Sequence, residues 1–266
     1  MKSVLEVRNA TKVFGRGTAV EHTALDDLSL SLARGEFVTV IGSNGAGKST
    51  LFNAICGTFL LDEGTVTLDG TDITFMREYK RAHWIGRVFQ DPMVGTAPHM
   101  TIAENLALAY SRSVRGPLRF APGKAQKALF RDRIASYGMG LEDRMNTKVG
   151  LLSGGQRQAV TLLMCTIVPP KLLLLDEHTA ALDPAMAEKV MAITREVVAS
   201  QRLTAMMITH NMKAALTTGH RTVMLDAGKV LLDLSGPERE KMTLDGLLSL
   251  YEDRKHEALD NDRMLL

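Results

Sequence analysis

The stretch that most constrains this chain is Gly42-Ser43-Asn44-Gly45-Ala46-Gly47-Lys48-Ser49, which follows the solid apolar run Phe37 to Ile41 and precedes a helix predicted over Thr50 to Cys56. Glycines at this spacing between a strand and a helix let the backbone curl, so that successive amide hydrogens and the positive end of the helix face an anion. In such a phosphate loop Lys48 reaches the terminal phosphates and Ser49 holds magnesium. A chance glycine-rich turn would not also need the buried strand before it and the helix after it.

The run Lys171 to Glu177, KLLLLDE, ends an apolar strand in two acids, which packing alone would not select. With a phosphate loop upstream, Asp176 is expected to take magnesium through water, and Glu177 to orient and deprotonate the attacking water. Leu172 to Leu175 and Ala205 to Ile208 read, like Phe37 to Ile41, as buried strands separated by helical patterns, the alternation of an α/β sheet. The N-terminal part alternates in strand fashion at Val4, Leu5 and Val7 and again at Leu28, Leu30 and Leu32. Helical spacing recurs at Thr101 to Tyr110 and Gln156 to Val168. Ser111 to Lys124 is a Gly/Pro/Arg-rich interruption, read as a loose basic loop whose Arg112, Arg115, Arg119 and Lys124 form a solvated face or meet lipid head groups. Thr222 to Leu225 and Val230 to Leu234 flank Asp226-Ala227-Gly228-Lys229 as a hairpin, and a short amphipathic helix follows a cap at Thr243. Beyond Lys255 the tail is polar and offers no apolar face.

Composition narrows the function classes. The net charge of +2 comes without any block of like charges, so it gives no argument for nucleic acid, and none is expected as a partner. Cys56 and Cys165 sit among apolar neighbours and read as small core residues in a reducing compartment. The N-terminus carries no export signal, and the longest apolar stretch, around Val160 to Val168, is closed by Pro169-Pro170 well short of a membrane span.

Leu152-Ser153-Gly154-Gly155-Gln156 is a second Gly-rich loop opening a second helix, hence a second anion-binding helix N-terminus, yet it has no lysine to complete a nucleotide pocket. A phosphate loop, LSGGQ and an apolar-DE strand in this order resemble the ATP-binding cassette family over about Val4 to Ser235. The resemblance implies a P-loop NTPase core of α/β class, with a mainly parallel sheet, an N-terminal antiparallel β subdomain and a helical subdomain. The cassette would occupy residues 1–235, its helical subdomain about 91–165, with a C-terminal helix and polar tail over 236–266.

In that family the signature loop covers the terminal phosphate of the ATP held by a second subunit, so Ser153, Gly154, Gly155 and Gln156 would complete the partner's site. The nucleotide of this chain would meet Gly42, Ser43, Asn44, Gly45, Ala46, Gly47, Lys48, Ser49 and Thr50. Gln90, in Val88-Phe89-Gln90-Asp91, matches the loop glutamine that senses magnesium and the attacking water and touches the transport partner. Asp183, in Ala181-Leu182-Asp183-Pro184, matches the loop linking the two sites of a dimer, and His210 matches the switch histidine that contacts the terminal phosphate and positions Glu177. Phe14 stands where the family stacks an aromatic on adenine, though a half-buried strand aromatic would look the same. The family usually has proline after Glu177, whereas this chain has His178. A titratable ring there could modulate hydrolysis, but it is read as a surface substitution that frees the local backbone, outside the catalytic set.

The resemblance thus implies an ATPase that uses ATP and Mg2+, works as a head-to-tail pair of identical chains, and drives an integral-membrane permease from the cytoplasmic face of the membrane. A chromosome-structure ATPase would need a long coiled coil between Lys48 and Ser153, where only about a hundred residues lie. A translation-factor relative would carry two cassettes. Intact Glu177 and His210 argue against a purely regulatory nucleotide-binding module. The stretch from Phe89 to Pro98, Thr101 to Asn105 and Glu177 to Ala180 resembles a bacterial importer branch paired with a solute-binding protein, an exporter being the alternative.

Overall fold

The computed structural model describes residues 3–113 and 123–253; Arg115, Arg119 and the tail beyond Lys255 lie outside the described residues. By its internal contacts the chain divides into two units, Met1–Phe75 with Met207–Leu266, and Met76–Met206.

The first unit opens with β1 (Ser3–Phe14), β2 (His22–Ala33), β3 (Phe37–Gly42), α1 (Lys48–Cys56), β4 (Glu63–Leu68) and β5 (Thr71–Asp72). Strands β2, β1, β4 and β5 lie side by side in that order, antiparallel throughout. Leu5 stands opposite Leu32 and Leu68, and Val7 opposite Leu30 and Val66, so the alternating apolar residues share one buried face.

The second unit runs through α2 (Glu78–Arg81), β6 (Ile85–Val88), α3 (Ile102–Tyr110), α4 (Lys124–Ala135), α5 (Gly154–Thr166), β7 (Leu172–Asp176), α6 (Pro184–Ser200) and β8 (Ala205–Ile208), the division falling inside β8. Strands β6 and β7 are parallel, with Ile85 opposite Leu172 and Val88 opposite Leu175. Local signals start the helices. The Thr101 hydroxyl accepts the Glu104 N–H while Glu104 accepts the Thr101 N–H, and Ser153 and Gln156 repeat that box at α5. The Thr101 N–H beside Glu104 also holds its carboxyl below the usual range. Asp183 caps α6 ahead of Pro184 in the first turn.

Arg112 corrects the reading of a solvated basic loop. Ser111–Ser113 is a turn of 3-10 helix, and the Arg112 guanidinium donates to the carbonyls of Ala109, Ala82 and Met164 at 3.1, 3.2 and 2.9 Å. Half-buried, it satisfies carbonyls at helix C-termini inside the second unit. Lys124 is the first residue of α4 and is exposed.

The chain then returns to the first unit through α7 (Met212–Thr217), β9 (Arg221–Asp226), β10 (Lys229–Ser235), α8 (Gly236–Glu240) and a helix over residues 244–253, here α9. Strand β9 runs parallel to β3 and antiparallel to β10. Ala227 and Gly228 both take positive φ, 45° and 79°, which makes the tight hairpin turn. The fold is thus the expected α/β class, with parallel pairs β3–β9 and β6–β7 and a separate antiparallel sheet. Cys56 and Cys165 are buried and unbridged, and no described helix is long and apolar enough to cross a membrane.

Thr243 caps α9, its hydroxyl accepting the Gly246 N–H. Leu247 is fully buried against Ile41, Ala215, Met224, Leu232 and Leu234, so this helix closes the core beneath β3. Leu247→Ala is expected to destabilise the chain by about 2–5 kcal/mol, the usual cost of truncating a buried leucine. A urea titration unchanged from wild type would show that α9 does not dock there.

Candidate active site

In the first unit the phosphate loop begins where β3 meets β9. Gly42 has φ 148°, and a Cβ there would collide with the Leu225 carbonyl oxygen, so only glycine allows this approach. The loop is held from outside by the hairpin turn: the Gly228 N–H donates to the Ala46 carbonyl and the Asp26 N–H to the Gly228 carbonyl. From inside, the buried Lys48 ammonium donates to the carbonyls of Gly42 and Ser43 at 2.7 and 2.8 Å, which fixes its charge within the curl. Helix α1 starts at Gly47 with no side-chain cap and no acid in its first turn, leaving its amide hydrogens and dipole to an anion. Ser43, Asn44, Gly45 and Ser49 are exposed, Thr50 partly so.

His210 belongs to the same unit and lies exposed between β8 and α7. The Thr209 N–H donates to the Val40 carbonyl, so the histidine leaves the sheet beside β3, the strand that feeds the phosphate loop. Phe14, 41% exposed, packs edge to face on Phe59 with centroids 5.3 Å apart. The Lys12 ammonium lies 5.5 and 5.4 Å from those two rings and 3.1 Å from Asp62. Asp62 accepts the Val13 N–H, which together with Lys12 holds its carboxyl below the usual range. Phe14 therefore keeps an open surface on an aromatic and cationic support.

In the second unit Asp176 ends β7 and receives the Arg87 guanidinium at 2.7 Å, both side chains only 14% exposed. Arg87 in turn covers the Phe89 ring at 4.7 Å. Glu177 follows with φ 45°, a left-handed backbone that a glutamate adopts only when its surroundings impose it. Gln90 and Asp183 are exposed, and the Asp183 carboxylate accepts the Met186 N–H at 3.0 Å. Ser153 heads α5 exposed, its oxygen accepting the Gln156 N–H at a long 3.3 Å, so its own hydroxyl proton can be given to an anion. Gly155 is buried where a Cβ would strike the Met186 side chain, so this glycine lets α5 pack on α6.

His178 overturns the reading of a surface substitution: it is 2% exposed. Its Nε2 lies 3.0 Å from the Thr194 hydroxyl, which itself donates to the Val190 carbonyl; Nε2 therefore carries the proton and donates. Its carbonyl accepts the Gln158 amide at 2.6 Å, and the same amide group reaches the Phe89 carbonyl at 3.0 Å. Sequence reasoning missed Arg87, Gln158 and Thr194. The available signal was polarity out of place, since Arg87 interrupts the buried strand Ile85-Gly86-Arg87-Val88 and Gln158 stands on the buried face of α5.

The chain is similar to known proteins. A family model described as ABC transporter matches residues 25–180. A tyrosine transport ATP-binding protein of Clostridioides difficile is 41% identical, over 94% of this chain and 99% of its own length. A methionine import ATP-binding protein, MetN 1 of Rhodococcus jostii, is 37% identical over 88% of this chain and 66% of its own length. Among solved structures, the dimeric post-hydrolysis state of the ATP-binding cassette MJ0796 bound to ADP and Pi superposes with a TM-score of 0.75 at 28% identity. That match covers 87% of this chain and 98% of MJ0796.

Burial pushes the His178 imidazole down from its ordinary 6.5 to about 4. Its folded pKa thus lies below its unfolded one, so this group leaves stability intact above about 6.5 and subtracts from it as pH falls from there to about 4, where only the unfolded chain takes up the proton. The thermal midpoint of the wild type is expected to fall more steeply over that range than that of His178→Gln, which keeps a donor for Thr194 without titrating. Equal slopes would show that the imidazole is not buried neutral.

Proposed function

The chain belongs to the ABC transporter family, and from that premise we propose the roles of its residues, its solute class and its partners. It is the ATP-binding and ATP-hydrolysing subunit of an importer. The observation that carries the finer reading is the pair of glycine-rich helix N-termini: α1, without a side-chain cap and with Lys48 beneath it, and α5, capped by its own exposed Ser153 and without a lysine. A phosphate end that only one of them can hold alone calls for a second copy of the chain, related head to tail, whose Ser153 to Gln156 close over the nucleotide.

Gly42 to Thr50 bind the phosphates through backbone amides, Lys48 neutralises the terminal ones, and Phe14 stacks on adenine. Ser49, Asp176 and Gln90 offer hard oxygen donors, which suit Mg2+, and no cluster of three or more His, Cys, Asp or Glu among the described residues builds a protein cage. When bound, Mg2+ would supply neutralisation of phosphate charge. Glu177 orients the attacking water and takes its proton, and His210 reaches the terminal phosphate and positions Glu177. Asp183 links the paired sites.

The relatives named for tyrosine and methionine support an amino acid as the solute. The chain then works at the cytoplasmic face of the membrane, on an integral-membrane permease, with a solute-binding protein outside.

Glu177→Gln is expected to keep ATP binding and to lower turnover by a factor on the order of a hundred to ten thousand, the worth of a positioned general base. Lys48→Ala should weaken binding itself. Ser153→Arg should abolish hydrolysis while an isolated chain still binds ATP, and turnover per chain should fall on dilution, because nucleotide that binds only the pair favours the pair by mass action. Constant turnover on dilution, with Ser153→Arg active, would leave a monomeric ATPase.

A further inference from the structure

Glu177 is held in left-handed backbone, φ 45°, directly before His178. Such a conformation at a residue with a side chain persists only where its neighbours over-determine it. Here neighbours are identifiable: the Glu177 carbonyl accepts the Ala180 N–H within the turn at 2.9 Å, and the chain just after Glu177 is fastened to two helices by side chains. The His178 ring donates through Nε2 to Thr194 on α6, whose hydroxyl is itself committed to the Val190 carbonyl. The His178 carbonyl accepts from Gln158 on α5. All three residues are buried, at 2%, 0% and 1% exposure, so neither bond competes with water.

Gln158 extends the arrangement, since the amide that holds the His178 carbonyl also holds that of Phe89, the residue before Gln90. One side chain from the signature helix thus sets two loops, one leading to Gln90 and one leaving Glu177. Proline at position 178 would provide the backbone carbonyl for Gln158 but no ring donor for Thr194.

We propose that His178 is a positioning residue for Glu177: its ring, bonded to Thr194, anchors the loop that carries the carboxylate and holds its backbone in the conformation that aims it at the attacking water. This rests on the reading of Glu177 as the general base. His178 touches no substrate and transfers no proton. It acts by fixing where Glu177 stands, and a misplacement of about an ångström can cost up to roughly a hundredfold in rate.

The test uses the full chain and three readouts: kcat at saturating Mg-ATP, ATP affinity from a fluorescent nucleotide, and the thermal midpoint, with rates taken well below that midpoint. Thr194→Val keeps the shape and removes the acceptor, and His178→Phe fills the cavity without the donor. Both are expected to lower kcat about tenfold or more with ATP affinity within about twofold of wild type, while His178→Gln, which can still donate, recovers most of the rate. A lower thermal midpoint with unchanged kcat in Thr194→Val and His178→Phe would overturn the proposal, the bond then being structural only. Parallel losses of affinity and kcat would also overturn it. Glu177→Gln is measured alongside. If that variant turns over like wild type, the general-base reading fails and this one with it; if it is inactive while Thr194→Val and His178→Phe are fully active, the positioning role alone fails.

Discussion

At Gly42 the backbone of β3 comes so close to β9 that no side chain fits against the Leu225 carbonyl, and the loop that follows inherits its direction from that approach. The phosphate loop cannot be shifted without separating two paired strands of the first unit. The hydrogen bond from the hairpin turn to Ala46, and the two bonds from Lys48 to the loop carbonyls, then hold the curl in shape. Because the loop is held before any ligand arrives, little conformational entropy remains to be lost when phosphate binds. The β9–β10 hairpin and α9 are therefore part of how the proposed nucleotide site is built, although neither carries a residue assigned to it.

In the second unit, buried polar groups hold the loops around the end of β7. Arg87 satisfies Asp176 at the end of β7, Gln158 gathers the carbonyls of Phe89 and His178, and Thr194 receives the imidazole. Breaking any of these bonds would cost free energy in the interior, so the set favours one arrangement of the strand end and the loops around it. Gly155 adds a steric condition, since α5 and α6 pack closely only because it has no side chain. Signature residues read as phosphate contacts thus have packing duties as well, and a loss of function at Gly155 would not by itself identify a nucleotide contact.

Much of this was legible in the residues. The buried strands β3, β7 and β8 announce themselves as apolar runs, and Thr101-Glu104, Ser153-Gln156 and Asp183-Pro184 are helix starts that a reader of local spacing can find. Thr243 and the Ala227-Gly228 turn stand where the pattern puts them. Arg112 was misread, because a guanidinium that serves three carbonyls looks in sequence like any exposed arginine in a Gly/Pro-rich stretch. His178 was misread for a related reason. Its neighbours along the chain are polar, and its partners stand 16 and 20 positions away on two different helices.

The sequence by itself determined the order of strands and helices, the two glycine-rich loops, and the acids at the end of an apolar strand. These are local properties, set by side-chain periodicity and by the few residues that can cap, turn or curl a backbone. Only the tertiary structure decided which polar groups are buried and to what they are bonded: Arg87 on Asp176, Gln158 between two carbonyls, His178 on Thr194. Burial depends on which elements pack against one another, and a hydrogen bond depends on distance and angle between residues far apart in the chain. Neither quantity is present in a one-dimensional pattern.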